Sequence, residues 1–274
     1  SGEKGKASMV GEVRYERLRP KQIVAAREAC PVAYLPIGTI EWHGLHNPVG
    51  ADTLTAHALA IRCARAGGGL VFPPLYYGEP REEGLMEANS AEREQIATAM
   101  GLPPENFAPG YMRFSPVQQV ENYQRLLLHC LFELQSLGFR VLVVVGGHYP
   151  LIDHARAACS LYHQARFGNR RARAIAWAFT GHELVQDVYP AAGDHAGYWE
   201  TSLLLALCPE LVDMSELPKD RSARPVAVLS SEPVQDASAA FGEKAVALIV
   251  ERAVAQVRDR LENPQAYYGH GLRL

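Results

Sequence analysis

Three short segments of the chain hold side chains that can do chemistry together. The first, GTIEWHGLHNPVGAD, carries Glu41, His43, His46 and Asp52. The second, GGHYP, carries His148 and Tyr149. The third, GDHAGYWETS, carries Asp194, His195 and Glu200. Glu41 and His43 stand two residues apart, so an extended backbone would point both side chains the same way. With Asp52 they supply two oxygen donors and one nitrogen, and His148 can add a second nitrogen. That donor set suits Zn, Mn or Fe in the +2 state better than Ca, and a bridging carboxylate would allow two ions.

Taken singly, most of these residues have a plainer reading. Glu-x-His is common in solvated loops. Asp52 suits a helix N-cap, and His148 after two glycines suits an exposed turn. His46 and His57 read as structural. Glu200 is different, because it is the sole charge in AGYWETSLLLAL. A lone buried carboxylate is costly unless it is paired or bound to metal.

The elements that must position these residues are legible as alternating patterns. PVAYLPIG at 31–38 is a short apolar run closed by glycine and predicts a buried strand. Residues 52–66 have helical spacing, with Asp52 and Thr53 as candidate caps. A second strand is expected over 69–75, ended by Pro73 and Pro74. Residues 116–137 form a long amphipathic helix opened by Pro116 and stopped by Gly138. RVLVVV at 140–145 is the clearest buried strand, followed by a helix over 151–166 and a strand over 171–179. Helices are expected over 196–207 and 236–262.

This alternation implies an α/β fold, with a mostly parallel central sheet covered by helices on both faces. Ligands of such sheets bind beyond the carboxyl ends of the strands, where all three chemical segments fall. Residues 79–115 interrupt the alternation. They are polar, contain proline and glycine, and are too long for an ordinary loop. We read them as an insertion near the site or at a subunit contact.

The three segments together resemble a known family. IEWHGLHNPVGADTL is similar to the first metal motif of the creatininase (creatinine amidohydrolase) family, Glu-x-His-Gly followed by Gly-x-Asp. GGHYP resembles the Gly-His motif after that family's central strand. DHAGYWETSLLLALCPELVD resembles its third motif, and the order and separations match over roughly residues 30–215. The resemblance implies one creatininase-like domain over 1–274, a three-layer αβα sandwich. It also implies that Glu41, Asp52 and His148 hold one metal and that His43 and Asp52 hold a second, with Asp52 bridging. Tyr149 would line the substrate pocket. His195 would be the acid/base group, with Asp194 as its orienting partner. Creatininase proper has a metal-binding Glu two residues after the central His, where this chain has Pro150, and Glu where this chain has Asp194. Glu200 is the candidate to complete the second metal.

The chemistry implied is metal-assisted hydrolysis by a hydroxide shared between two ions, with His195 moving the proton to the leaving group. The substrate class implied is a small cyclic or formyl amide. An alternative is hydrolytic C–C ring opening of a cyclic polyol diketone of the inosose type. A lesser alternative is a non-catalytic, metal-stabilised oligomer. The resemblance also implies a homo-oligomer, a hexamer by analogy.

Composition narrows the classes further. Of 274 residues, 48% are hydrophobic and 21% charged, which excludes wholesale disorder. The net charge of −3 gives no basic footprint for nucleic acid. No run of about 18 apolar residues predicts a membrane span. The five cysteines stand no closer than 29 residues, which fits neither a zinc knuckle nor a disulfide framework. They read as thiols of a reducing compartment, so a cytoplasmic location is expected. VVVGGH lacks the glycine and lysine spacing of a phosphate loop, and no G-x-S-x-G elbow occurs.

Overall fold

VAYLPI and VLVVVG are buried at every position, not at alternate ones. A strand can be apolar on both sides only if both faces of its sheet are covered. The computed structural model, which describes residues 11–78, 90–108, 110–168 and 174–268, shows how. Helix α1 (Pro20–Ala29) leads into strand β1 (Val32–Ile37), helix α2 (Ala51–Gly67) and strand β2 (Leu70–Val71). Helices α3 (Arg93–Ala99) and α4 (Pro116–Ser136) precede strand β3 (Val141–Gly146). Helix α5 (Leu151–Gly168), strand β4 (Ile175–Thr180) and helices α6 (Tyr198–Leu207) and α7 (Ala239–Glu262) complete the order.

The described strands pair in the order β2-β1-β3-β4, all parallel. Ile37 pairs with Gly146 and Gly146 with Thr180, so three strands end level at their carboxyl ends. Odd and even positions feed two cores. Val32, Tyr34, Val143 and Trp177 pack against Leu59 and Cys63 of α2 and Ile249 and Ala253 of α7. Ala33, Leu35, Leu142 and Val144 pack against Leu127 and Leu131 of α4 and Ala155 and Ala158 of α5. The architecture is a three-layer αβα sandwich.

Several boundaries differ from the sequence expectation. The strand expected over 69–75 shortens to Leu70–Val71, because Pro73 and Pro74 have no N–H to donate. Helix α1 gave no clear pattern and has no buried residue. The last helix begins at Ala239, where the Ser238 side chain accepts the Phe241 N–H. Residues 171–173 of the expected strand, and 79–89 and 109 of the expected insertion, lie outside the described residues. Within the described remainder, Ile96, Ala97 and Phe107 form a small core with Trp42 and Ala227. The excursion therefore packs on the loop that follows β1. Among the described residues, no helix is long and apolar enough to cross a membrane.

Candidate metal centre

The ends of β1 and β3 press directly on the first turn of α2. A Cβ at Gly38 would lie 2.4 Å from Thr53 Oγ1, and one at Gly147 only 1.9 Å from the Asp52 carbonyl oxygen. Only glycine permits these approaches. Gly50 takes the N-cap position of α2, which leaves the Asp52 carboxylate for another use. Asp52 lies in the first turn, where the helix dipole favours its negative charge.

Asp52 faces two histidines with its two oxygens. Oδ1 is 3.0 Å from His43 Nε2, and Oδ2 is 3.0 Å from His148 Nδ1. Glu41 Oε1 lies 3.1 Å from His148 Nδ1 and 3.7 Å from His43 Nε2. Glu200 Oε2, arriving from α6, lies 3.5 Å from His43 Nε2. His195 Nδ1 lies 3.6 Å from Glu41 Oε1. The structure thus brings six of the eight sequence candidates to one place. Three sets of potential ligand atoms each lie within 4.8 Å of one another: Glu41–Asp52–His148, His43–Asp52–Glu200, and Glu41–His43–His195. Asp52 belongs to two of them and offers a different oxygen to each.

The electrostatics of this cluster ask for cations. Burial alone would strip His43 of its proton, yet Asp52, Glu200 and Glu41 raise its pKa to about 10. Burial likewise opposes the charge of His148, but Asp52 and Glu41 hold its pKa well above the ordinary value. Asp52 goes the other way, since the two imidazoles outweigh its burial and hold its pKa low. Burial pushes the Glu200 carboxyl up to about 8, against the pull of His43. Glu41 Oε1 and Asp52 Oδ2 are buried and, among the described residues, accept no hydrogen bond of good geometry. Orphaned, converging carboxylate oxygens beside imidazole nitrogens fit divalent ions of the Zn or Mn type.

The other two candidates sit beside this cluster. Tyr149 is packed edge-on against His182, with ring centroids 4.3 Å apart. Burial, together with the nearby Glu200, Asp194 and Asp52 carboxylates, pushes its hydroxyl well above the ordinary phenol pKa. Tyr149, Asp52, Glu200, Trp199 and His182 line a common cavity. Asp194 does not orient His195, contrary to expectation. Its carboxylate accepts the N–H groups of Trp199 at 2.8 Å and Glu200 at 3.1 Å, and so caps the first turn of α6. Asp194 precedes that helix closely, and unsatisfied helix N–H groups are stronger claimants than a neutral ring. The His195 ring is held instead by Trp42, whose carbonyl oxygen lies 2.9 Å from Nε2. A carbonyl can only accept, so Nε2 carries the proton and the Nδ1 lone pair faces the cluster.

Two supporting residues were not assigned a part in the site from sequence. Trp42 anchors its indole on the Val226 carbonyl at 2.8 Å while its own carbonyl fixes His195. His46 is buried, and its Nε2 lies 3.1 Å from both the Ala196 carbonyl oxygen and Thr201 Oγ1. Ala196 adopts a left-handed conformation, φ 53°, and its N–H donates to Glu200 Oε2 at 2.7 Å. His46 thus secures the turn that delivers Glu200. No local pattern marks either role, since each depends on a segment about 150 residues away.

The family model for creatininase (creatinine amidohydrolase) matches residues 16–257. The chain belongs to the creatininase family. It is 27% identical over 223 residues to the creatinine amidohydrolase of Pseudomonas putida, covering 77% of this chain and 76% of that one. Among solved structures, a manganese creatininase superposes with a TM-score of 0.67 at 23% identity, over 93% of this chain and all of that one. A mutant creatininase of Zn-Zn type superposes with a TM-score of 0.65 at 24% identity, over 93% of this chain and 99% of that one. These likenesses establish the creatininase fold.

Proposed function

We propose that this chain, a metal-dependent hydrolase by family, cleaves the C–N bond of a small cyclic or formyl amide. The observation that carries the reading is the two-sided carboxylate of Asp52, which joins the Glu41–His148 pair to the His43–Glu200 pair. Glu41, Asp52 and His148 would hold one divalent ion, and His43, Asp52 and Glu200 the other. Ions bound there would polarise the substrate carbonyl and lower the pKa of a water between them toward neutrality. The manganese and Zn-Zn forms of the related creatininases support Mn or Zn in this role.

The chain's own groups do the proton work. Burial, followed by the neighbouring His43, lowers the pKa of His195, so its ring is neutral at pH 7. With Nε2–H fixed on Trp42, Nδ1 is the atom that takes up a proton and returns it to the leaving nitrogen. Trp42 does the orienting assigned from sequence to Asp194. Tyr149 and Trp199 wall the cavity next to Glu200. The protein would work as a cytoplasmic homo-oligomer, and its five cysteines, all free thiols, agree with a reducing compartment.

The test is metal analysis of the purified protein, followed by turnover of a panel of lactams, cyclic ureas, N-formyl amines and cyclic diketones. Hydrolysis of an amide by protein carrying two ions per chain is the expected result. A metal-loaded protein that opens only diketones, or cleaves nothing, would overturn the reading.

A further inference from the structure

Arg260 of α7 is 2% exposed, yet it makes no ion pair among the described residues. Its Nη1 donates to the Gln256 carbonyl at 3.0 Å and to Gln256 Oε1 at 2.8 Å. Its Nε is buried and has no hydrogen-bond partner among the described residues. The guanidinium Cζ lies 4.5 Å from the ring centroids of both Trp177 and Tyr267. Contacts of this kind favour the charge of the cation. Nη1 is taken by Gln256, and Nη2 makes no hydrogen bond among the described residues.

Arg260 lines a cavity of about 450 Å³ beside strand β4, within the size range of small-molecule sites. None of the metal-centre residues lines it. Arg156, also in its wall, is paired with Glu183 at 2.9 Å, so this pair adds no net charge. Strand β4 is the last of the described sheet, and its outer edge faces the cavity. The outward N–H groups of Ala176 and Thr180 are taken by His163 Nε2 and Glu183 Oε2. Ala178, between them, faces the same way and lines the cavity.

We propose that this cavity binds a small organic carboxylate, paired with the guanidinium of Arg260 beside Trp177 and Tyr267. A carboxylate is an anion that a guanidinium recognises well. It would also set a negative charge against a buried cation that makes no ion pair among the described residues. Trp177, Phe179 and Ile175 give the cavity an apolar wall, so the carboxylate should carry an apolar or aromatic body. This site is independent of the proposed amide chemistry.

The experiment is calorimetric titration of the metal-loaded protein with benzoate, acetate, succinate and inorganic phosphate. Saturable binding of benzoate, tighter than acetate and phosphate and unchanged by chelating the metals, is the expected result. Arg260→Met should weaken it about 10- to 100-fold, the worth of a charge-assisted pair. Ser160→Trp, at the exposed rim, should weaken it by obstruction. In the unmodified protein, benzoate should also move the Arg260 Nε–H resonance, a reading that stands even if Arg260→Met fails to fold. Absence of saturable binding, including absence because a second copy covers this face, overturns the proposal. So does binding that vanishes on chelation or survives both substitutions.

Discussion

His46 offers a measurable link between pH and the stability of the turn that carries Glu200. Its ring is buried, Nδ1 has no hydrogen-bond partner among the described residues, and His43 lies near enough to repel a second charge. Burial, chiefly, lowers its pKa to about 4, with the Ala196 carbonyl opposing and His43 adding to the shift. In the unfolded chain a histidine titrates near 6.5. Between those values the unfolded state binds more protons than the folded one, so stability falls as pH falls. The full difference is about 3 kcal/mol, of which about 2.5 kcal/mol should be lost by pH 4.5. The assay is urea unfolding of chelated protein at pH 7.5 and 4.5, beside His46→Gln. Glutamine keeps a donor for the Ala196 carbonyl but cannot titrate. Chelation removes metal release from both curves, and the difference between the proteins cancels every other titrating group. The wild type should lose about 2.5 kcal/mol more than the variant over that interval. Curves that run parallel to within about 0.5 kcal/mol would refute the reasoning, since His46 would then be protonated at no cost in the fold.

Three further outcomes are expected of the metal centre. Asp52→Ala should remove both ions, read by metal analysis, because each ligand set loses an oxygen; full occupancy would dismiss the bridging role. Glu200→Gln should lower the occupancy of one ion and leave the other, and two retained ions with intact activity would make this carboxylate structural. His195→Ala should reduce kcat by about 10²–10⁴ with metal content nearly unchanged, and the loss should be largest for substrates with poor leaving groups. If metal is lost together with activity, His195 belongs to the Glu41–His43–His195 ligand set instead, and Tyr149 becomes the next proton donor to test.

The sequence made the sheet and the site legible to different degrees, for physical reasons. β1 and β3 were readable because a strand covered on both faces needs an unbroken apolar run, and such runs are rare elsewhere in the chain. The long helices were readable from spacing, and Ser115 with Gln118 closes the start of α4 as Pro116 suggested. Helix α1 was invisible because none of its residues is fully buried, only Ile23 and Ala26 packing part-way onto the core, and burial is what writes periodicity into a helix. The ligand types were readable because strand ends carry the chemistry in this class of fold. Asp194 misled because adjacency in sequence is a poor guide to which acceptor an imidazole meets. Its carboxylate went to the nearest helix end, and a carbonyl from residue 42 took its expected place.

The close contact of Gly38 and Gly147 with the first turn of α2 divides the site into parts that can change at different rates. Two strand ends and a helix start share one floor, and the atoms there touch without room for a single added carbon. No substitution at either glycine can be absorbed locally, because the opposing atoms are backbone or the start of a side chain. Around that floor stand the loop carrying Trp42, on which the 90–108 excursion packs, and the segment leading into α6. New specificity in this scaffold should therefore come from lengthening, shortening or exchanging those segments whole. A redesign that recruits a different amide should graft loops above an untouched floor.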